Sequence, residues 1–183
     1  KIIDLSSVIS GPVATVLLCD QGADVIKIES PQGDIVRQMG AGEADVSPSF
    51  LTANRGKRSL AINLKEKQGT DIVKKLVLEA DVFVQNFRPG VIERIGLGYG
   101  VLKEINPKLL YVSISGLGEI GPYAQKRVYD PVIQALTGLP DIQADHENSR
   151  PKMVRTIILD KVTALTAAQA ITAGLFERER GKG

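Results

Sequence analysis

The chain has 183 residues, which suits one α/β domain, or a domain with an appended piece, and is ample to enclose an apolar core. Hydrophobic residues make up 43% and charged residues 24%, excluding a disordered or fibrous chain; 23 Lys+Arg against 21 Asp+Glu leave +2, with no global field for nucleic acid or an anionic membrane. One cysteine, Cys19, excludes an internal disulfide framework and a cysteine-only zinc site, and one histidine, His146, excludes any mechanism drawing two imidazoles from this chain.

Apolar runs stay well short of the ~18 residues of a membrane span. Together with the lone cysteine, this leads us to expect a soluble, intracellular, cytoplasmic protein. In chain order, Ile2–Leu5 reads as a strand, followed by a Ser-Ser-Val-Ile-Ser-Gly-Pro turn. A helix is predicted from Pro12 to about Gln21, with Pro12 in its first turn and Gly22 as the stop. Asp24–Ile28 is a second strand, and residues 31–58, rich in glycine and polar groups, read as a long loop with one helical turn. Leu60–Leu64 is a third strand. Ile72, Val73, Leu76 and Val77 recur at helical spacing within Glu66–Glu79, which predicts an amphipathic helix.

Asp81–Val84 is a buried-type strand leading into Asn86-Phe87-Arg88-Pro89-Gly90. Short helical pieces follow near 91–95 and 99–105, then a strand at Leu109–Ser115, a loop over 116–128 and a short helix at Pro131–Leu139. Residues 140–152 read as a polar loop, and Lys161–Arg178 as a long Ala-rich helix whose small face packs closely. Strands alternating with helices define an open, mostly parallel, Rossmann-like sheet covered on both faces. The strand at the very start and the charged FERERGKG at the end suggest the amino-terminal portion of a longer protein.

Gly116-Leu-Gly118-Glu-Ile-Gly121 spells G-x-G-x-x-G, but it follows the fifth strand and runs directly into Pro122. A dinucleotide fingerprint opens a helix after the first strand, so a glycine-rich turn is the better reading and NAD is not expected. Arg55, Lys57, Arg58, Lys65, Arg88 and Arg94 cluster after strands or in loops, where open α/β sheets bind ligands. They read either as a phosphate-binding rim or as solvated surface charge. Asp160 follows Ile157-Ile158-Leu159 at the head of the Ala-rich helix. It reads as a helix cap or as a carboxylate nucleophile, and the two roles are compatible. His146, between Asp145 and Glu147 in a polar loop, reads as solvated. No Ser-His-Asp constellation, Walker loop or metal-ligand cluster is expected.

The segments IIDLSSVISGP, GADVIKIESPQGD, NRGKRSLAINLK, ADVFVQNFRPG, LGYGVLKEINPKLLYVSISGLGEIGP and YDPVIQALTGL, with the terminal Asp-then-Ala-rich helix, together resemble the family III CoA transferases. That family includes formyl-CoA, carnitine and dicarboxylate CoA transferases. The resemblance runs in order over nearly the whole chain. It implies that these residues are the amino-terminal CoA-binding α/β part of a protein about twice as long, which works as an interlocked homodimer.

By the same resemblance, Asp160 falls where the family has its catalytic aspartate. Ile9 and Ser10 fall at a turn whose backbone contacts CoA, and Ile62 and Lys65 on the stretch bordering adenine and phosphates. Asn86, Phe87 and Arg88 form the NFR signature of the CoA groove, with Val91 and Arg94 a helical turn on. Three positions depart from the family pattern. Ser115 stands where some members carry a CoA-contacting lysine, Ser30-Pro31 where some carry an arginine, and Ala164 where a glycine is frequent.

The implied activity moves CoA from an acyl-CoA donor to a carboxylic acid, with neither metal nor NAD, through an aspartyl anhydride and an aspartyl-CoA thioester. Part of the oxyanion site would come from a glycine-rich loop beyond these residues, so this chain alone is expected to be inactive or very weak. The related α-methylacyl-CoA racemases and epimerases use a histidine immediately before the aspartate of the Val128-Tyr129-Asp130 segment. Here Tyr129 stands in that place. A phenol with pKa near ~10 is a poor substitute for an imidazole near ~6.5. A non-catalytic CoA-binding module is the remaining alternative.

Overall fold

The computed structural model describes residues 1–40, 46–145 and 149–181. Five strands, β1 (Ile2–Asp4), β2 (Val25–Glu29), β3 (Arg58–Ala61), β4 (Val82–Gln85) and β5 (Leu110–Ser113), form one open sheet in the order β3-β2-β1-β4-β5. Every pairing is parallel, with Ile3 opposite both Ile26 and Phe83, and Ile2 opposite both Val25 and Val82.

That register explains the continuous apolar runs in the central strands, because a parallel sheet is covered on both sides. Side chains alternate across the sheet. Ile3, Ile26 and Phe83 enter one core with Val73 and Val77 of α3 (Lys67–Val77), Ile92 of α4 (Val91–Arg94) and Leu102 of α5 (Tyr99–Ile105). Ile2, Val25, Val82 and Val84 enter the other with Leu18 of α1 (Ser10–Asp20) and Ala168 and Ile171 of α8 (Ile158–Glu179). Enclosing a side chain such as Ile3 or Phe83 contributes about 1.5–3 kcal/mol.

α1 lies along α8. Seven of the eleven residues of α1 are buried, Gly11, Ala14, Thr15 and Leu18 among them, whereas the buried residues of α8 are Ala164, Ala168 and Ile171, so α8 turns one narrow face inward. The small face expected of the Ala-rich helix is thus what packs. Gly11 is required there, because a Cβ on it would stand 2.3 Å from both Cβ and Oγ of Ser6.

Several boundaries move. Residues 31–58 hold a 3-10 turn at Ile35–Gln38 and α2 (Pro48–Asn54) in place of one helical turn in a loop. α2 starts with Pro48 after Ser47, whose hydroxyl accepts the Phe50 N–H at 3.1 Å. β3 begins at Arg58 and ends at Ala61, earlier than its apolar letters suggest. The helix expected over Pro131–Leu139 divides into α6 (Asp130–Leu136) and α7 (Leu139–Ile142). Most consequential, α8 starts at Ile158, which puts Asp160 inside its first turn.

Candidate active site

Two cavities open side by side above the carboxyl ends of the strands, where an open α/β sheet presents its crevice. The first, about 590 Å³, is lined by the loops after β1, β2 and β3 together with Phe87, Val91 and Ile95. The second, about 480 Å³, is lined by the loops after β1, β4 and β5, by residues 126–130 and by Asp160. Ser7 and Phe87 border both. They follow β1 and β4, the pair at which the strand order reverses. Asn86 stitches these two loops together: its Oδ1 accepts the Ser7 N–H and its Nδ2 donates to the Ser7 carbonyl, both at 2.8 Å.

Under the first cavity lies a buried ionic cluster. Asp4 Oδ2 accepts from Lys57 Nζ at 2.9 Å and Thr15 Oγ1 at 2.6 Å, while Oδ1 accepts from the backbone and hydroxyl of Ser6. Lys27 Nζ donates to the Ser6 carbonyl and to Asp34 Oδ2 at 3.2 Å. Burial pushes Asp4 up, but the Lys27 and Lys57 charges and the two hydroxyls outweigh it and hold the carboxyl at about 2. Burial pushes Lys57 below its ordinary value against the pull of Asp4. Asp34 also accepts the N–H of Val8 at 3.1 Å. Val8 is a β-branched residue at φ 68°, a strained conformation that this bond helps to hold.

The second cavity is organised differently. Asp160 is the third residue of α8, whose N-cap, Ile157, offers no side-chain bond. The capping carboxylate is Asp130, at the start of α6: its Oδ2 accepts the N–H groups of Leu159 at 2.6 Å and Asp160 at 3.0 Å. This corrects the reading of Asp160 as the helix cap; Asp130 performs that task and Asp160 is released from it. Burial pushes the Asp160 carboxyl above the usual range, the Asp130 charge adds to this, and the Ser10 hydroxyl pulls the other way. Arg88, Lys126 and Arg127 line the same cavity and have no acidic partner among the described residues.

Of the residues singled out from sequence, Ile62, Lys65, Phe87 and Val91 line the first cavity, and Ile9, Ser10, Asn86, Phe87, Arg88 and Asp160 the second. Arg94, at the end of α4, lines neither. Three of the clustered cations are committed elsewhere. Arg55 pairs with Asp20, Arg58 with Asp24 at 2.6 Å, and Lys57 is the buried partner of Asp4. Ser115 lines the second cavity and Ser30 and Pro31 the first, so two of the departures lie on the cavity walls, while Ala164 is fully buried. The G-x-G-x-x-G segment is a turn, with Gly118 at φ 81° and Gly121 at φ 105° and no helix until Asp130. His146 lies outside the described residues. Sequence reasoning missed Asp130, Lys126 and Arg127 as cavity residues; an acid before Pro131 looks like an ordinary helix start, and nothing local marks its partner 30 residues away.

An open parallel sheet with a half-buried carboxylate at a helix head, beside a two-chambered crevice at the carboxyl ends of the strands, defines an α/β domain of the ligand-binding kind. The profile of CoA-transferase family III matches residues 1–183, and the chain belongs to that family. It is 42% identical over 186 residues to human succinyl-CoA:glutarate CoA-transferase, covering 100% of this chain and 42% of that protein. It is 40% identical to the acetyl-CoA:oxalate CoA-transferase of Acetobacter aceti, covering 100% of this chain and 47% of the relative. The fold superposes on the crystal structure of a CAIB/BAIF family protein from Brucella suis with a TM-score of 0.93 and 38% identity, covering 99% of this chain and 49% of the other. The chain therefore spans about half the length of the relatives it matches. Among the described residues, no helix is long and apolar enough to cross a membrane.

Proposed function

We propose that the protein containing this chain is a CoA transferase that moves CoA from an acyl-CoA donor to a carboxylic acid, with Asp160 as nucleophile. The observation that carries this reading is the Asp160 carboxylate, relieved of capping by Asp130 and bordering a cavity that adjoins a second one. The adenosine and phosphates occupy the first cavity beside Ile62 and Lys65. The pantetheine arm crosses between Ser7 and Phe87, bringing the thioester to Asp160.

The Asp160 oxygen attacks the thioester carbonyl; the C–S bond breaks, and CoA leaves as thiolate from a mixed anhydride. The thiolate then attacks Cγ of Asp160, expelling the donor acid as carboxylate and leaving an aspartyl-CoA thioester. The acceptor carboxylate attacks that carbonyl, releasing thiolate and forming a second anhydride. Attack of the thiolate on the acceptor's carbonyl frees Asp160 and completes the new thioester. No net proton changes hands, and exchange of one thioester for another needs no ATP. The raised proton affinity of Asp160 keeps its oxygen nucleophilic once ionised, and its half-burial limits hydrolysis of the covalent species.

The complete protein acts in this reading as a cytoplasmic homodimer, and these residues alone lack part of the oxyanion site and turn over weakly or not at all. The test is mass spectrometry of the complete protein under turnover, with and without hydroxylamine. An acyl or CoA adduct on Asp160 that hydroxylamine removes is expected; turnover with no such adduct, or full activity in Asp160→Ala, overturns the assignment. A monomer in light scattering overturns the dimer.

A further inference from the structure

The first N–H groups of a helix need acceptors. A carboxylate in the first turn is a natural one, folding back on its own backbone and drawn by the helix dipole. In α8 that carboxylate is Asp160, and an Asp160 occupied in this way would present its oxygens to its own helix rather than to the cavity. The structure fills the vacancy from elsewhere. Asp130, 5% exposed, takes the Leu159 and Asp160 amides on Oδ2, and its Oδ1 accepts from Gln134 Nε2 at 2.5 Å. Gln134, one turn further along α6, is 2% exposed; its Oε1 accepts the Val154 N–H at 3.0 Å and its Nε2 donates to the Thr156 carbonyl at 3.2 Å. Residues 154–160 are thus clamped along one side of α6.

We propose that Asp130 and Gln134 form a brace that positions Asp160, capping α8 from a neighbouring helix so that the Asp160 carboxylate stays free of backbone bonds and borders the cavity. The inference rests on Asp160 being the nucleophile. Asp130 and Gln134 act through α8, so they are positioning residues. The groups that act on Asp160 are Asp130 from α6 and the Ser10 hydroxyl from α1; Arg88 from the loop after β4, and Lys126 and Arg127 from the loop before α6, line the same cavity. Burial raises the proton affinity of Asp160 and the Asp130 charge adds to it, so removal of that charge has a signature that a purely mechanical cap lacks.

The experiment uses the complete protein, with steady-state CoA transfer measured against pH for wild type, Asp130→Asn, Asp130→Ala, Gln134→Leu and Asp160→Ala. Asp130→Asn keeps a capping oxygen and removes the charge. Its acid limb is expected to move to lower pH, because the like charge no longer opposes Asp160 ionisation, with kcat down by about tenfold. Asp130→Ala loses the cap as well, and kcat is expected to fall by about 100-fold with the acyl-CoA KM within about threefold. Gln134 lines neither cavity, yet Gln134→Leu is expected to lower kcat by about tenfold with KM unchanged. If Asp130→Ala does not fold, the Asn and Leu variants decide. An unmoved acid limb in Asp130→Asn, or kcat within twofold of wild type in Gln134→Leu, overturns the brace. Full activity in Asp160→Ala overturns the nucleophile itself and the brace with it, an outcome distinguishable from failure of the brace alone.

Discussion

Asp4 and Asp160 stand at the same crevice, one beneath each cavity, and their surroundings treat them in opposite ways. Asp4 is fully enclosed and saturated: two hydroxyls, a backbone N–H and Lys57 occupy both of its oxygens, and its pKa falls to about 2. Asp160 is half-buried beside another carboxylate, has one hydroxyl as its polar side-chain neighbour, and has its pKa pushed up. The cations follow the same division. Lys27 and Lys57 are spent inside the first cluster, whereas Arg88, Lys126 and Arg127 line the second cavity without acidic partners among the described residues. Residue type therefore does not separate a saturated carboxylate from an open one here; the number of partners already supplied by the fold does.

The largest expected effect tests the open carboxylate. Asp160→Ala in the complete protein should lower CoA transfer by more than ~1,000-fold, since removing the proposed covalent nucleophile leaves only binding. Asp160→Asn should melt at or above the wild-type temperature at neutral pH. A carboxyl whose folded pKa is raised stabilises the fold only below its unfolded value, so the ionised side chain is a local burden that Asn relieves. A clear fall in melting temperature would place Asp160 with Asp4 among the structural acids and erase the contrast.

The reverse result is expected at the first cluster. Asp4→Ala leaves Lys57 buried without its carboxylate partner, and breaking such a buried pair costs about 3–5 kcal/mol, measurable by urea denaturation. The same carboxylate sets an acid limit. Its folded pKa of about 2 lies below the ordinary 3.8, so its stabilisation is complete above 3.8 and is lost as pH falls from there toward 2. One such group accounts for about 2 kcal/mol of acid-sensitive stability, and Asp4→Asn should flatten that part of a stability-against-pH curve.

The smallest effects sharpen the division among cations. Lys65→Ala should raise the acyl-CoA KM by about 3–10-fold with kcat nearly unchanged, the mark of a charge that binds without taking part in the chemistry. Arg94→Ala should leave both constants within about twofold, because Arg94 lines neither cavity. Equal effects from the two would mean that the crevice extends past α4.

Much of the architecture was legible in the residues because it depends on local periodicity. Ile2–Leu5, Asp24–Ile28 and Asp81–Val84 announce buried parallel strands, and the spacing of Ile72, Val73, Leu76 and Val77 announces α3. Family resemblance then pointed to Asp160, and the chain does belong to CoA-transferase family III. α2 was missed because its letters, Pro48-Ser-Phe-Leu-Thr-Ala-Asn54, form too short and mixed a pattern to stand out from the surrounding loop.

Order along the chain thus determined the alternation of strands and helices and the nature of the two apolar faces, since both follow from side-chain periods of two and 3.6. Only the tertiary structure decided which acids and bases meet. Lys57 reaches Asp4 across 53 positions and Asp130 caps the head of α8 across 30, and no local rule relates residues so far apart. Whether a carboxylate is quenched or available depends on those long-range neighbours, because burial and charge act through space and not along the backbone.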